Sequence, residues 1–487
     1  MSEYDLVIRN GIVATAADTV ACDIGIKNGI VATLGKDLGA ARREIDASGR
    51  LVLPGGIDSH CHIEQRSSAG VVCADDFYSA TVAAAFGGTT TVIPFAAQHR
   101  GQSLRRVVED YHAAAAPKAV IDYAFHLIIS DPTEQILGQE LPALIRDGYT
   151  SFKVYMTYDL LRLDDQQMLD ILAVARREGA LVMVHAENHE MIKWLTSRLL
   201  ERGLGAPRYH AVSHPRLAEG EATHRAVALS ELLDVPILLV HVSAAEAIDV
   251  IRNAQTRGLK IYGETCPQYL FLTADDIAKP GVEGAKFCCS PPPRDRAAQE
   301  AVWTGLRNGT FQVFSSDHAP YRFDASGKLP MGDKTTFKEI ANGVPGIELR
   351  LPLLFSEGVG QGRLTLNAFV ALTATNHAKL YGLYPKKGTI AVGSDADIAI
   401  WDPDMQITVT AGILHDNVGY TPYEGRQLRG WPITVLSRGR VIVEGGSLAA
   451  ARGSGAFLPC ALSEAARPLG TPVPELAFVA KRGIPLA

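Results

Sequence analysis

The chain has 487 residues, which is enough for one large barrel together with a smaller domain. Its formal net charge is −6 and the charges are spread along the sequence without a basic stripe, so nucleic acid and membrane surfaces are not expected partners. No stretch approaches the roughly 20 apolar residues of a membrane span, and the first residues do not resemble a signal peptide. The seven cysteines are irregularly spaced and form no CxxC motif, which argues against a disulfide framework and predicts a reducing, cytoplasmic location.

Short β-like runs occur near both ends of the chain. Leu6–Arg9 is followed by Asn10-Gly11, and Ile24–Lys27 is followed by Asn28-Gly29. Asn-Gly between apolar runs is a strong hairpin signal, so we expect a β-turn at each pair. Comparable runs return late in the chain, at Gly388–Val392, Ala396–Ile400, Ile433–Leu436 and Arg440–Val443. The pattern predicts one small β-sandwich built from both termini, with another domain inserted between its halves.

The predicted boundaries are residues 1–53 and 380–450 for the two parts of the sandwich and residues 54–379 for the inserted domain. Residues 451–487 are rich in Pro, Ala and Gly and lack a clear periodicity. We expect an irregular tail there, which either lies on a neighbouring subunit or is disordered.

The inserted domain alternates apolar runs of strand length with helical patterns such as Gln166–Glu178 and Glu246–Arg257. Apolar runs bounded by turn residues are typical of strands that are buried on both faces. Eight such runs are present: Leu51–Asp58, Thr89–Phe95, Asp122–Ile129, Ser151–Met156, Leu181–His185, Ile237–His241, Ile261–Cys266 and Phe311–Asp317. Eight strands with intervening helices predict an α/β fold, a (β/α)8 TIM barrel, whose chemistry lies at the carboxyl ends of the strands.

Side chains that can bind a metal lie in or just after five of these strands. They are His60, His62, Lys153, His185, His241 and Asp317. Alternate residues of a strand point the same way, so the imidazoles of His60 and His62 can face one ion. A single histidine at a strand end is more often a satisfied polar group, and a single aspartate there is usually a turn or cap residue. Six candidates on five strand ends nevertheless favour a metal centre.

The composition of this set indicates which metals it would hold. Four neutral imidazoles and one carboxylate suit zinc or a similar first-row divalent ion. Six ligands are too many for one tetrahedral catalytic ion, but they fit two ions about 3.5–4 Å apart. Lys153 can join them only as a neutral amine, which can add carbon dioxide to give a carbamate with one oxygen for each ion. We therefore predict two divalent ions, with zinc expected, and an N6-carboxylysine at Lys153.

Several short motifs surround these residues: Pro54–His62, Lys153 with Tyr158 shortly after it, His185–Asn188, His241–Ser243 and Ser316–His318. Together they resemble the amidohydrolase superfamily and, more narrowly, its dihydropyrimidinase and hydantoinase branch, from the first strand to about residue 450. The resemblance implies a binuclear site. One ion would be held by His60, His62, Lys153 and Asp317, and the other by Lys153, His185 and His241.

The resemblance also implies three substrate contacts and a reaction. Tyr158 would polarise the scissile carbonyl oxygen, while Ser290 and Asn342 would bind the ring through their backbones. In the plainer alternatives, Tyr158 is an aromatic residue at the rim, Ser290 opens a proline turn and Asn342 lies in a left-handed turn. The expected substrate is a small cyclic amide, a dihydropyrimidine or 5-substituted hydantoin, opened to an N-carbamoyl amino acid by a metal-bridging hydroxide. Asp317 would accept the proton and return it to the leaving nitrogen. A homotetramer is implied as well.

Departures from the family pattern leave alternatives open. Glu64 stands where the related dihydroorotases place an arginine for the substrate carboxylate, which disfavours that substrate. The loop Gln65–Gly70 is small and polar, so either the ring substituent is small or polar or another loop completes the wall. Arg66 either meets an acidic group or is solvated. The same site chemistry would suit a cyclic imide or an allantoin-like ring. Lys153 argues against a one-metal deaminase, and the complete ligand set argues against a non-catalytic scaffold protein.

Overall fold

The computed structural model describes residues 3–67, 70–471 and 473–476. The strands are β1 (Tyr4–Ala14), β2 (Thr19–Lys27), β3 (Ile30–Gly35), β4 (Ala41–Asp46), β5 (Leu51–Pro54), β6 (Gly56–Asp58), β7 (Thr89–Val92), β8 (Phe95–Ala97), β9 (Asp122–Tyr123), β10 (His126–Ile128), β11 (Ser151–Tyr155), β12 (Leu181–His185), β13 (Ile237–Leu239), β14 (Ile261–Thr265), β15 (Val313–Phe314), β16 (Ile398–Thr408), β17 (Gln427–Ser437), β18 (Arg440–Glu444) and β19 (Ser447–Leu448).

The α-helices are α1 (Phe77–Phe86), α2 (Leu104–Ala115), α3 (Leu141–Arg146), α4 (Asp165–Glu178), α5 (His189–Leu200), α6 (Tyr209–Ser213), α7 (Arg216–Leu233), α8 (Ala245–Thr256), α9 (Gln268–Phe271), α10 (Ala274–Ile277), α11 (Arg296–Arg307), α12 (Arg350–Leu354), α13 (Leu366–Val370) and α14 (Asn376–Leu380). Single π-helical turns lie at Ile136–Glu140, Phe355–Val359 and Ala371–Thr375. Short 3-10 turns lie at Glu283–Phe287, Gly332–Lys334, Ala411–Ile413 and Glu464–Ala466.

Both ends of the chain contribute to one sheet, as the sequence predicts. Its order is β19-β18-β17-β16-β5-β1-β2-β3, with β4 paired to β1. The two halves meet where Leu51–Pro54 pairs antiparallel with Ile398–Trp401. Ile24, Val52 and Ile398 are buried together in the core of this unit, and burial of these apolar side chains holds the two chain ends to each other.

The two Asn-Gly pairs behave differently. Asn28-Gly29 forms the turn between β2 and β3, as predicted. The predicted hairpin at Asn10-Gly11 is wrong, because both residues lie inside β1, where the register with β2 shifts between Ile8 and Gly11. Asn10 has a φ of 61° there, so its left-handed conformation serves a β-bulge instead of a turn.

The inserted domain is the predicted (β/α)8 barrel. Its eight strand positions are β6, β7 with β8, β9 with β10, β11, β12, β13, β14 and β15, and all of their pairings are parallel. The second and third positions are each interrupted for two residues, in the second by Ile93-Pro94, where proline has no N–H to donate to the ladder. A parallel bridge between Cys61 and His318 joins the segments that follow the first and last strands.

Several barrel strands are shorter than the sequence predicts, and the first and the last differ most clearly. The apolar run Leu51–Asp58 divides between the sandwich and the barrel, because Gly55 separates β5 from β6. A side chain at Gly55 would lie 2.2 Å from Thr90 Oγ1, so the chain can pass there only as glycine. The last strand ends at Phe314, three residues before Asp317, whose φ of 48° is incompatible with a continuing strand.

Local signals explain where the helices begin. For α4, the Asp164 side chain accepts a hydrogen bond from the Gln167 backbone at 2.8 Å, while the Gln167 side chain caps Asp164 in return. The helix ends at Gly179, which adopts the left-handed conformation with a φ of 76°. Helices of this kind follow the strands and cover the outside of the barrel, so the strand ends are left free for chemistry.

The described part of the C-terminal tail is irregular and contacts its own barrel. Leu458 N donates to Tyr123 O at 2.7 Å, and Cys460 N donates to Gly148 O at 3.0 Å. The ring of Phe457 stacks on those of Phe125 and Tyr149. Contact of the tail with a neighbouring subunit stays a prediction, and residues 477–487 lie outside the described residues. Within the described ranges, no helix is long and apolar enough to cross a membrane.

Candidate metal centre

Three of the predicted ligands form a compact group at the carboxyl end of the barrel. His60 Nε2 lies 3.1 Å and His62 Nε2 lies 3.4 Å from Asp317 Oδ1. One ligand atom from each of these residues can be chosen so that all lie within 4.8 Å of one another. The two histidines follow β6 and the aspartate follows β15, so closure of the barrel brings them together. The spacing suits a divalent ion.

His185 and His241 extend the group along the strand ends. Their ring centroids are 4.4 Å apart, and the centroid of His241 lies 5.3 Å from that of His60. Both ring nitrogens of His241 are buried and have no hydrogen-bond partner among the described residues. A buried imidazole without partners is unfavourable by itself, whereas a metal ion would satisfy one of its two nitrogens. The donor set present therefore fits a divalent metal.

Lys153 lies inside β11 with a buried side chain, and its Nζ is 2.8 Å from His60 Nε2. The Nζ also lies 4.5 Å from the centroid of the Phe95 ring and 4.9 Å from that of Tyr155. Within the described residues no carboxylate comes within salt-bridge distance of it. Burial lowers the pKa of Lys153 to about 8, with nearby carboxylates acting in the opposite direction. With this pKa about one-tenth of the amine is neutral at pH 7, far more than for an exposed lysine, and the neutral form is the one that adds carbon dioxide.

Asp317 is held as a carboxylate by its neighbours. Burial alone would raise its pKa, but the charge of His60 and hydrogen bonds from His60 and His62 outweigh burial and hold the pKa well below its usual value. Asp317, His241 and Tyr158 all have positive φ values, of 48°, 41° and 71°. Such backbone conformations cost about 1–3 kcal/mol each and occur preferentially at functional sites.

Three polar residues to which the sequence analysis gave no role orient the histidines. Glu264 Oε1 accepts a hydrogen bond from His60 Nδ1 at 2.5 Å, and Gln65 Oε1 accepts one from His62 Nδ1 at 2.7 Å. Glu187 Oε2 accepts a bond from His185 Nε2 at 2.9 Å, while burial raises the pKa of Glu187 to about 8. Partners of this kind fix the tautomer and the ring orientation of metal-binding histidines. Only Glu264 gave a signal in the sequence, as the single carboxylate inside the apolar run Ile261–Cys266.

A cavity of about 650 Å³ opens beside these side chains. All of the predicted site residues except the fully buried His60 line it: His62, Lys153, Tyr158, His185, His241, Ser290, Asp317 and Asn342. Burial raises the pKa of Tyr158, so its hydroxyl stays protonated and can donate a hydrogen bond. The structure thus gathers the predicted ligands and the predicted substrate contacts around a single cavity.

The loop Gln65–Gly70 left open whether other segments complete the wall of the cavity. Leu160, Leu161, Ile192, Phe337 and Ile340 contribute apolar surface to it, from the turn after β11, from α5 and from the segment before Asn342. Other segments therefore complete the wall. Arg66 does not line the cavity; it is exposed, and its Nη1 donates to Gly70 O at 3.4 Å. This exposure agrees with the interpretation of Arg66 as a solvated loop residue.

Comparison with known proteins agrees with this geometry. The amidohydrolase family matches residues 51–442. D-hydantoinase from Rhizobium radiobacter is 45% identical over 454 residues, covering 93% of this chain and 98% of that protein. D-hydantoinase from Geobacillus stearothermophilus is 47% identical over 439 residues, covering 90% and 92%. The crystal structure of dihydropyrimidinase from Brevibacillus agri is 45% identical with a TM-score of 0.91, covering 94% of this chain and 99% of that one. The chain therefore belongs to the amidohydrolase family, in its dihydropyrimidinase and hydantoinase branch.

Proposed function

We propose that this chain hydrolyses a small cyclic amide, a dihydropyrimidine or a 5-substituted hydantoin, to an N-carbamoyl amino acid. One observation carries the proposal: ligand-type side chains from five strand ends converge on the cavity that Tyr158, Ser290 and Asn342 also line. The names of the relatives, D-hydantoinase and dihydropyrimidinase, support the same substrate class. The apolar wall supports a ring that carries a substituent.

The centre would hold two divalent ions, with zinc expected from four imidazoles and a carboxylate. His60, His62 and Asp317 would bind one ion, His185 and His241 the other, and Lys153, as N6-carboxylysine, both. The unpartnered nitrogens of His241 and the lowered pKa of Lys153 support this assignment. When bound, the ions would activate a water molecule at neutral pH and polarise the carbonyl oxygen. An unmodified Lys153 amine in a metal-loaded crystal structure would refute the proposed carbamate.

The residues of the chain divide the remaining work. Asp317 accepts a proton of the attacking water as the C–O bond forms and returns it to the ring nitrogen as the C–N bond breaks. Tyr158 donates a hydrogen bond from its hydroxyl to the carbonyl oxygen, where negative charge develops, and one such donor contributes about 2.7–4 kcal/mol. The backbones of Ser290 and Asn342 hold the amide edge of the ring.

The test is a rate panel with purified, metal-replete protein. The substrates are dihydrouracil, 5-substituted hydantoins, allantoin and simple cyclic imides, and the matched variant is Asp317→Asn. We expect ring opening of a dihydropyrimidine or a hydantoin by the wild type, and a variant that keeps much of its metal but loses nearly all turnover. Preferential hydrolysis of imides or allantoin would replace the proposed substrate. Failure to open any ring with about two ions bound per chain would overturn the proposal.

Assembly as a homotetramer and a cytoplasmic location are further proposals. The described residues include all seven cysteines and none of them forms a disulfide, which supports a reducing compartment. Trp194, Val212 and Leu217 are exposed on α5, α6 and α7, which supports contact with another subunit. Light scattering of the purified protein measures the assembly, and a monomer would contradict it.

A further inference from the structure

Lys328 is a buried lysine that the proposed reaction does not use. Its side chain is fully buried in the loop after β15. Its Nζ donates hydrogen bonds to Cys288 O at 2.8 Å and to Gly343 O at 2.6 Å. No carboxylate within the described ranges pairs with it, so backbone carbonyls alone hold this ammonium. Burying a cation without an anionic partner is costly, and a costly group calls for an explanation.

The two carbonyl groups lie beside the proposed ring contacts. Cys288 precedes Ser290 by two residues, and Gly343 directly follows Asn342. Both segments line the cavity, and neither belongs to a helix or strand, so no ladder of hydrogen bonds along an element fixes their separation. Besides Lys328, a single backbone bond joins them, from Gly343 N to Cys288 O at 3.0 Å.

The loop that carries Lys328 is itself well anchored. The Lys328 backbone N–H donates to Arg322 O at 2.8 Å, and Leu329 N donates to Asp324 O at 2.9 Å. A side chain at Gly327 would lie 2.3 Å from Arg322 O, so the loop is too tight to admit one. The ammonium therefore sits at a fixed point between the two cavity segments. Burial lowers the pKa of Lys328 to about 8, which leaves most of it charged at neutral pH.

An unsatisfied polar atom marks the same place. Asn342 Oδ1 is buried and has no hydrogen-bond partner among the described residues. On the opposite segment, Cys289 O accepts a hydrogen bond from His210 Nε2 at 2.8 Å, which anchors the Ser290 side from behind. The Ser290 segment is thus held by a hydrogen bond, while Asn342 Oδ1 on the other segment is available to a polar group of a ligand. A site for the amide edge of a ring needs both features.

We propose that Lys328 is a positioning residue that sets the distance between the Ser290 and Asn342 backbones, so that both contact the amide edge of the ring at once. The inference rests on the proposed function, because it assumes a cyclic amide in this cavity. It predicts an effect shared by all ring substrates, since the amide edge is common to them and the substituent is not.

The test compares Lys328→Met with Lys334→Met, an exposed lysine in the same loop region. Because ring contacts act in both the bound substrate and the transition state, we expect Lys328→Met to raise KM about tenfold or more while kcat changes less than about threefold. The increase should be similar for dihydrouracil and for a 5-substituted hydantoin. Metal content should not change, Lys334→Met should behave as wild type, and Lys328→Arg should recover part of the loss.

Other outcomes overturn the proposal. A lower unfolding temperature with unchanged KM in the folded, metal-replete enzyme would mean that Lys328 serves folding alone. If Lys328→Met does not fold, Lys328→Gln, which keeps a neutral NH2 donor group, decides the question by the same KM criterion. Calorimetric binding of dihydrouracil to Asp317→Asn, with and without Lys328→Met, tests the positioning role of Lys328 separately from the proposed ring-opening function. Binding that Lys328→Met weakens supports the positioning role even if ring opening fails, and equal binding contradicts it.

Discussion

Replacing Glu264 with glutamine tests how one buried carboxylate holds the proposed metal ligands. Glu264 Oε1 accepts hydrogen bonds from His60 Nδ1 at 2.5 Å and from the His241 backbone N–H at 3.1 Å. Its Oε2 accepts a third bond from Ser315 Oγ at 2.7 Å. One carboxylate thus orients a proposed ligand of each ion, and it selects the His60 tautomer whose Nε2 is free to bind metal.

Glutamine keeps the shape of this side chain and can keep all three contacts. Its carbonyl oxygen can replace Oε1, and its amide nitrogen can donate to the Ser315 hydroxyl, so the substitution removes mainly the negative charge. A hydrogen bond to a charged group contributes about 1.5–3 kcal/mol and a neutral one about 0.5–1.5 kcal/mol. We therefore expect metal binding to weaken by about 1–1.5 kcal/mol, which is roughly five- to thirteenfold in affinity.

The assay is competition between the protein and a calibrated chelator for zinc. Glu348→Gln is the matched control, because Glu348 is also buried and accepts a hydrogen bond from His415 Nδ1 at 2.9 Å, but contacts none of the proposed ligands. We expect the control to bind metal as the wild type does and Glu264→Gln to recover near-normal kcat at saturating zinc. A metal affinity within about twofold of wild type in Glu264→Gln would refute the reasoning.

Two further substitutions test the cavity and the fold. Tyr158→Phe removes the hydroxyl that is proposed to donate a hydrogen bond to the substrate carbonyl, so we expect kcat to fall about 10²–10³-fold with unchanged metal content. A near-normal kcat would mean that another group polarises the carbonyl. Lys387→Met removes the buried ammonium that lies 2.7, 2.9 and 2.6 Å from the carboxylates of Asp122, Asp395 and Asp397. We expect it to lower the free energy of unfolding by about 3–5 kcal/mol in denaturant titrations, and a loss below about 1 kcal/mol would contradict this.

The sequence predicts much of the candidate site because barrel geometry is regular. The carboxyl ends of the strands meet at one face, so ligand-type residues at successive strand ends must come together even though they lie far apart in the chain. Lys153 could be recognised because a cation inside an apolar strand is rare. The structure brings its Nζ to 2.8 Å from His60 Nε2, so Lys153 lies among the predicted metal ligands.

The residues behind the ligands give weaker signals. Glu264, which orients His60, lies in a strand whose other residues read as ordinary apolar core. Lys328 lies in a loop without any motif, and its contacts are backbone carbonyls, which the sequence does not distinguish. Such partners follow from the packing of segments distant in sequence, so no spacing rule locates them.

Local turn chemistry was equally ambiguous. The same Asn-Gly pair forms a turn at Asn28-Gly29 and a bulge at Asn10-Gly11. Both uses need a left-handed asparagine, so the pair predicts the backbone conformation but not the pairing of the strand. At Gly11 the neighbouring strand decides the outcome, because a side chain there would lie 2.5 Å from Val52 Cγ2.

The number of metal ions bound per chain tests the central claim most directly, measured by elemental analysis of the purified wild type and of Lys153→Ala. A centre shared by a carboxylated lysine should hold about two ions in the wild type and fewer in the variant, because its common ligand is lost. A wild type that opens cyclic amides at full rate with a single ion, or a Lys153→Ala variant that retains two, would contradict the account.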